Sequence, residues 1–176
     1  RGFAADRARA EGIQVHEVAR SAARLHAALL LRRLLRERAF DVVHANEPHA
    51  LTAAWLARTH RRVPLVISRR VGFSLPRNPV TLARYRAAAR ILAISRFVAE
   101  RILAAGLPAE KIEVVHEGVE LPPSITPEMR REARRQWGAN DDVPLLGCVG
   151  YLLPDKGQEL LIRAVALLRQ QGRFCR

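Results

Sequence analysis

Short apolar runs alternate with amphipathic stretches along most of this chain, and no other feature restricts the possible fold as much. Residues 12–18 alternate apolar and polar as a strand does, and from Ser21 onward Leu25, Leu29, Leu30, Leu34 and Leu35 recur at helical spacing. The run 40–44 predicts a second strand, and the segment opened by Pro48 predicts a helix through Leu51, Ala54 and Trp55. Residues 63–67, 90–94 and 112–115 predict three more strands, with a helix over 79–89 between the first two. Between the last two, Ser95 is placed as an N-cap, and Gly106 then stands just past the helix end with Pro108 beyond it. Continuous apolar strands separated by helices predict a parallel sheet covered on both faces, because each parallel crossover lays a helix on one side. The fold class read from this is α/β, a Rossmann-like domain, and ligands of such sheets collect just past the carboxyl ends of the strands.

The pattern changes after residue 121. Residues 122–127 contain three prolines and read as a connector. A helix over 128–137 closed by Gly138, a strand over 144–150, a loop over 151–157 and a final helix through Leu160, Leu161, Ala164, Val165 and Leu168 complete the chain. This gives an organisation of 1–121 as a Rossmann-like domain, 122–143 as linker and helix, and 144–176 as the first βα unit of a second such domain. One strand and one helix cannot build a core, since a lone parallel strand has unpaired edges. The chain starts on Arg1 and stops on Arg176 directly after a helical pattern, so it is expected to be a piece of a longer protein.

Composition narrows the function classes. The 176 residues carry 30 Lys and Arg against 17 Asp and Glu, a net charge of +13, with 49% hydrophobic residues. That balance belongs to a folded chain rather than a disordered one. The longest apolar run, 27–31, is stopped by Arg32 and Arg33, so no bilayer-spanning segment is expected. Two cysteines, Cys148 and Cys175, suggest neither a disulfide framework nor a thiolate metal site, and a reducing, cytoplasmic setting follows by default. Of the basic residues only Lys111 and Lys156 are lysine, and aromatics make up 5%, so nucleic acid is an unfavoured partner. Serine-hydrolase, paired-carboxylate and metal-ligand motifs are not evident.

Residues 41–49 (DVVHANEPH), 91–95 (ILAIS), 111–119 (KIEVVHEGV) and 147–157 (GCVGYLLPDKG), in that order and spacing, resemble family 4 glycosyltransferases of the GT-B fold. The resemblance runs from about residue 13 to 170. It implies two Rossmann-like domains facing each other across a cleft, the first holding an acceptor and the second a nucleotide sugar. Transfer would proceed with retention at the anomeric carbon and without cofactor or obligatory metal. A glycan or lipid-linked acceptor of the cell envelope, with peripheral contact to an anionic membrane, would fit that family. The glycine-rich loop after the family's first strand would precede Arg1, and its Glu-x7-Glu segment would follow Arg176, so the piece alone is expected to be inactive.

Carried onto this chain residue by residue, the resemblance places Lys156 and Gly157, with Gly150, at the donor diphosphate. A cation beside the N–H groups of a helix start suits a departing phosphate. The family usually has Arg where Tyr151 stands. His44, Asn46 and His49 fall where the second strand feeds its helix, on the acceptor side, and Asn46 could equally cap that helix. Ser68, Arg69 and Arg70 follow the third strand, where paired guanidiniums suit a phosphorylated or carboxylated acceptor, although both arginines could simply face solvent. Glu117 and Gly118 stand at the exit from the first domain, Gly118 read as a turn needing positive φ. No residue is assigned as nucleophile or general base. A rival reading is a basic, non-catalytic domain docking on anionic lipid or nucleic acid through Arg24, Arg32, Arg33, Arg36 and Arg38.

Overall fold

The computed structural model describes residues 3–18, 23–140 and 142–173. Ser21 and Cys175 lie outside the described residues. The chain divides into two compact units, residues 1–118 and 119–176.

The first unit is organised around four short strands, β1 (Val43–Ala45), β2 (Leu65–Arg69), β3 (Arg90–Ala93) and β4 (Ile112–Val114). They pair in parallel in the order β1-β2-β3-β4, with Ala45 opposite Ile67, Ile67 opposite Ile91 and Ala93 opposite Val114. Helices α3 (Pro48–Leu56), α4 (Pro79–Arg86) and α5 (Arg96–Ala104) make the crossovers. Pro48 opens α3 at its first turn. Ser95 caps α5 by accepting from the Val98 N–H at 3.3 Å, and Gly106 follows its end at φ 83°. Lys111 Nζ donates to the carbonyls of Arg86 and Ala88 at 2.6 and 2.9 Å, which holds the end of α4 against the start of β4.

Among the described residues of the first unit, the connecting helices cover one face of the sheet, not two. Side chains alternate along each strand, and paired residues of parallel neighbours share a face. Ala45, Leu65, Ile67, Arg69, Ile91 and Ala93 therefore point one way, and all are buried. His44, Val66, Ser68, Leu92, Glu113 and Val115 point the other way and are half-buried or exposed. The cause is topological. Each step from β1 to β4 moves one place in the same direction, and right-handed crossovers then put every connecting helix on the same side. Cover on the second face requires the strand order to reverse, which these four strands do not do.

Two expected strands are absent from the ladder. Residues 12–18 and 144–150 run without strand pairing, because alternation makes a segment suitable for a sheet edge but cannot supply the neighbour it must bond to. Ahead of the first of these segments lies α1 (Phe3–Ala10), a short helix that buries none of its residues. Helix α2 (Ala23–Glu37) packs on α3 through Ala28, Ala53 and Ala57, small residues that let the two backbones approach. Its buried face is Ala28 and Leu35, with Leu31 partly covered, whereas Leu25 and Leu29 are each 64% exposed. The five leucines thus do not share one buried face.

In the second unit, Thr126 caps α6 (Pro127–Gln136) through the Met129 N–H. A 3-10 turn, Pro154–Lys156, leads through Gly157 into α7 (Gln158–Gln170), whose Leu161, Val165 and Leu168 are half-buried. Neither helix has a fully buried residue.

Candidate functional site

The open face of the sheet ends in a hollow at the carboxyl ends of the strands, the place where a Rossmann-like sheet binds ligands. Its volume is about 170 Å³. Leu92, Ile94 and Val115 form an apolar floor, and His44, Ser68, Arg70, His116 and Glu117 supply the polar groups around it. Parallel pairing brings residues 24 apart in sequence into contact here: His44 Nε2 and Ser68 Oγ share a hydrogen bond of 2.7 Å. Between the loops after β2 and β4, the Arg70 guanidinium is ion-paired with the Glu117 carboxylate, and both side chains are half exposed.

Chemically the hollow offers a hydroxyl, two imidazoles, the Arg70 guanidinium and the Glu117 carboxylate around aliphatic side chains. His116 Nδ1 lies 3.0 Å from the Ile94 carbonyl. A carbonyl only accepts, so Nδ1 carries a proton, and in the neutral ring Nε2 is left as an acceptor. That combination suits a polyhydroxylated molecule, whose hydroxyls both donate and accept, and Arg70 can bond a phosphate or carboxylate group. Among the described residues no three His, Cys, Asp or Glu side chains are placed to hold a metal ion.

The expected acceptor-side residues divide into two groups. His44, Ser68, Arg69 and Arg70 are brought together around the hollow, joined there by Glu117 of the expected hinge or cleft loop, and Asn46 and His49, both exposed, are not among its lining residues. Asn46 does not cap α3 either: Glu47 holds the N-cap position, with no side-chain hydrogen bond. Arg69 does not face solvent. It is 4% exposed, and its guanidinium donates to Tyr85 Oη at 3.3 Å and to the Phe73 carbonyl, leaving Nε without a partner. Strand alternation explains this, because Ser68 points to the open face and its neighbour must point into the packed one. Gly118 has no positive φ, and a Cβ there would meet nothing within 4 Å, so no glycine-specific turn is formed. His116 was not singled out from sequence; its position directly after a strand was the available signal.

In the second unit, Gly157 adopts φ 74° and provides the N-cap of α7, a conformation that favours glycine. The Lys156 stem lies over Gly150, where an added Cβ would come within 3.8 Å of Cγ. Gln158 Nε2 donates to the Tyr151 carbonyl at 2.9 Å, closing the loop beneath. Lys156, Gly157 and Gly150 are therefore neighbours at one helix start.

The sequence model of Glycosyltransferase Family 4 matches residues 4–121, more than half of the chain. A D-inositol 3-phosphate glycosyltransferase of Actinosynnema mirum is 32% identical over 148 residues, covering 75% of this chain and 35% of the relative. Another of the same description, from Kribbella flavida, is 30% identical over 177 residues, covering 92% and 42%. The chain therefore spans less than half the length of these curated relatives. Among solved structures, Anabaena Alr3699/HepE in complex with UDP superposes with a TM-score of 0.67 at 24% identity, covering 88% of this chain and 44% of that one. A glycosyltransferase from Rickettsia africae gives 0.65 at 19%, covering 96% and 48%. These two share the fold, a GT-B arrangement to which the parallel four-strand sheet corresponds. This chain belongs to Glycosyltransferase Family 4.

Proposed function

We propose that the chain is the acceptor-side domain, with the opening βα unit of the donor-side domain, of a retaining glycosyltransferase that moves a sugar from a nucleotide-sugar donor to a hydroxylated, phosphorylated acceptor. The observation that carries this reading is the hollow at the strand ends, where Ser68, His44, His116 and Arg70 surround an apolar floor. Acceptor hydroxyls would bond Ser68 and the imidazoles, the floor would pack on the acceptor's C–H face, and Arg70 would hold its phosphate. The curated relatives' description as D-inositol 3-phosphate glycosyltransferases supports an acceptor of that class. A larger glycan or lipid-linked acceptor of the cell envelope is the other member of the class the family resemblance raised, and it would use the same hydroxyl contacts.

On the donor side, the capture of UDP and UDP-glucose by Alr3699/HepE supports a nucleotide-sugar donor. Lys156, with the N–H groups at the Gly157 start of α7, would stabilise the leaving diphosphate, with Gly150 beside the lysine stem. Rate enhancement would come from positioning two substrates and stabilising that leaving group rather than from a protein nucleophile. No cofactor is required by this scheme.

The test is a calorimetric titration of D-inositol 3-phosphate into the chain and into its Ser68→Ala and Arg70→Gln variants, beside a turnover assay with UDP-glucose. The expected result is weak binding that each substitution lowers, with no sugar transfer by the chain alone. Binding unaffected by both substitutions contradicts the acceptor assignment, and robust transfer contradicts the expected inactivity of this piece.

A further inference from the structure

Arg69 is the one charged strand residue on the packed face of the sheet, among apolar neighbours such as Ala45, Ile67, Ile91 and Ala93. No carboxylate among the described residues pairs with it, and its buried Nε has no partner. A buried cation left in this way is costly, and an apolar side chain of similar volume commonly serves stability as well or better. Stability alone therefore does not account for an arginine at the end of β2. What its guanidinium does hold is the next stretch of chain. One terminal nitrogen donates to Tyr85 Oη on α4 at 3.3 Å and the other to the carbonyl of Phe73, four residues further on, so that residues 70–73 are closed into a short loop. Gly72 in this loop lies against the Phe97 ring, where an added Cβ would come within 2.9 Å, and the Arg101 guanidinium stands 4.9 Å from the centre of that ring. Farther along, the chain is fixed without Arg69: Arg77 donates to the Ala104 carbonyl, and Asn78 caps α4 by accepting from the Thr81 N–H at 2.8 Å. Arg70, the first residue of the tied loop, reaches instead to Glu117 at the strand-end hollow.

We propose that Arg69 is a positioning residue for anion recognition: by tying Phe73 and Tyr85 to the end of β2 it fixes the backbone at residue 70 and so holds the Arg70 guanidinium at the hollow. The inference rests on the acceptor reading for the anion, a phosphate on the acceptor, and adds a residue that acts on it without touching it. Consecutive strand residues point to opposite faces, so the two guanidiniums divide the work, Arg70 meeting the ligand and Arg69 anchoring the loop from behind. A long arginine side chain loses much rotamer freedom when it binds. Fixing its backbone beforehand lowers that cost and aims the planar fork at the two oxygens of a phosphate. Arginine also suits the anchoring position, because its fork spans two acceptors on separate segments, whereas lysine brings a single point charge.

A double-mutant cycle on the whole chain tests it, read by amide chemical-shift titration with D-inositol 3-phosphate. Arg70→Gln should weaken binding about tenfold, as loss of a charge-assisted hydrogen bond does, and Arg69→Met about fivefold. The two together should weaken it only about tenfold, because one acts through the other, whereas independent contributions would multiply to about fiftyfold. Tyr85→Phe removes one acceptor of the Arg69 guanidinium and keeps the ring in the core, so it should weaken binding roughly twofold, and only while Arg70 is present. Should Arg69→Met fail to unfold cooperatively in urea, Tyr85→Phe and Arg70→Gln supply the cycle in its place. Losses that multiply overturn the inference and leave the acceptor reading standing, as does unchanged affinity in Arg69→Met and Tyr85→Phe where Arg70→Gln weakens it. Absence of binding by the parent chain, or Arg70→Gln binding as tightly as the parent, overturns both.

Discussion

Ile91 and Leu92 are adjacent in β3 and point to opposite faces of the sheet, so truncating each in turn measures how unequal those faces are. Ile91 is 0% exposed and lies in the core cluster with Ile67, Ala93 and Ile102. Ile91→Ala removes buried methylenes and leaves a cavity that close-packed strand neighbours cannot fill, for a loss of about 3 kcal/mol within the 2–5 range of such truncations. Leu92 is half-buried, faces the open side and lines the strand-end hollow. Leu92→Ala gives up only part of a leucine's transfer free energy and creates no enclosed void, which amounts to about 1 kcal/mol. Urea unfolding followed by circular dichroism reads both, with the slopes compared so that a midpoint shift reports stability. Equal losses would refute the one-sided sheet, since Leu92 would then have to be as enclosed as Ile91.

The two lysines serve different ends. Lys111→Met is expected to cost about 1 kcal/mol by stranding the Arg86 and Ala88 carbonyls, and an unchanged urea midpoint would contradict that anchoring. Lys156→Met should weaken diphosphate binding about fivefold by calorimetry, and unchanged binding would contradict its place at the donor diphosphate. Glu117→Gln releases Arg70 from its ion pair, so phosphate should bind up to about fivefold more tightly, as for an exposed pair; weaker binding would show that Glu117 itself contacts the anion. Burial, followed by the charges of Arg61 and Arg58, lowers the His60 pKa from 6.5. The unfolded chain therefore takes up this proton first as pH falls below 6.5, and stability declines towards acid until the folded imidazole also titrates. His60→Asn should flatten that decline in urea midpoints, and an unchanged profile would sink the assignment.

What could be read from the residues alone follows from which interactions are local. Runs such as 63–67 and 90–94 announce strands because continuous apolar character needs burial on a sheet, and Ser95 and Gly106 announce the ends of α5 because capping is settled within one turn. Residues 12–18, which alternate, and 144–150, which are apolar throughout, carry strand patterns without forming strands. Pairing depends on a neighbour that local sequence cannot supply. The orientation of α2 was hidden for a similar reason: five leucines leave several possible faces, and the small side chains of Ala53 and Ala57 on α3 select the one bearing Ala28. At the site, position at or near the carboxyl end of a strand was sufficient to find His44, Ser68, Arg70 and Glu117. Arg69 needed the alternation rule applied to Ser68 beside it, and Asn46 and His49 needed the path of the chain into α3.

The claim on which the account turns is that the strand-end hollow of the first unit is where acceptor binds. Amide chemical-shift mapping during a titration with D-inositol 3-phosphate tests it directly. The account predicts shifts concentrated at residues 44, 68–70, 94 and 115–117, lost in the Ser68→Ala, Arg70→Gln double variant. Shifts confined to the covered side of the sheet or to helix α2, or none at millimolar ligand, would contradict it.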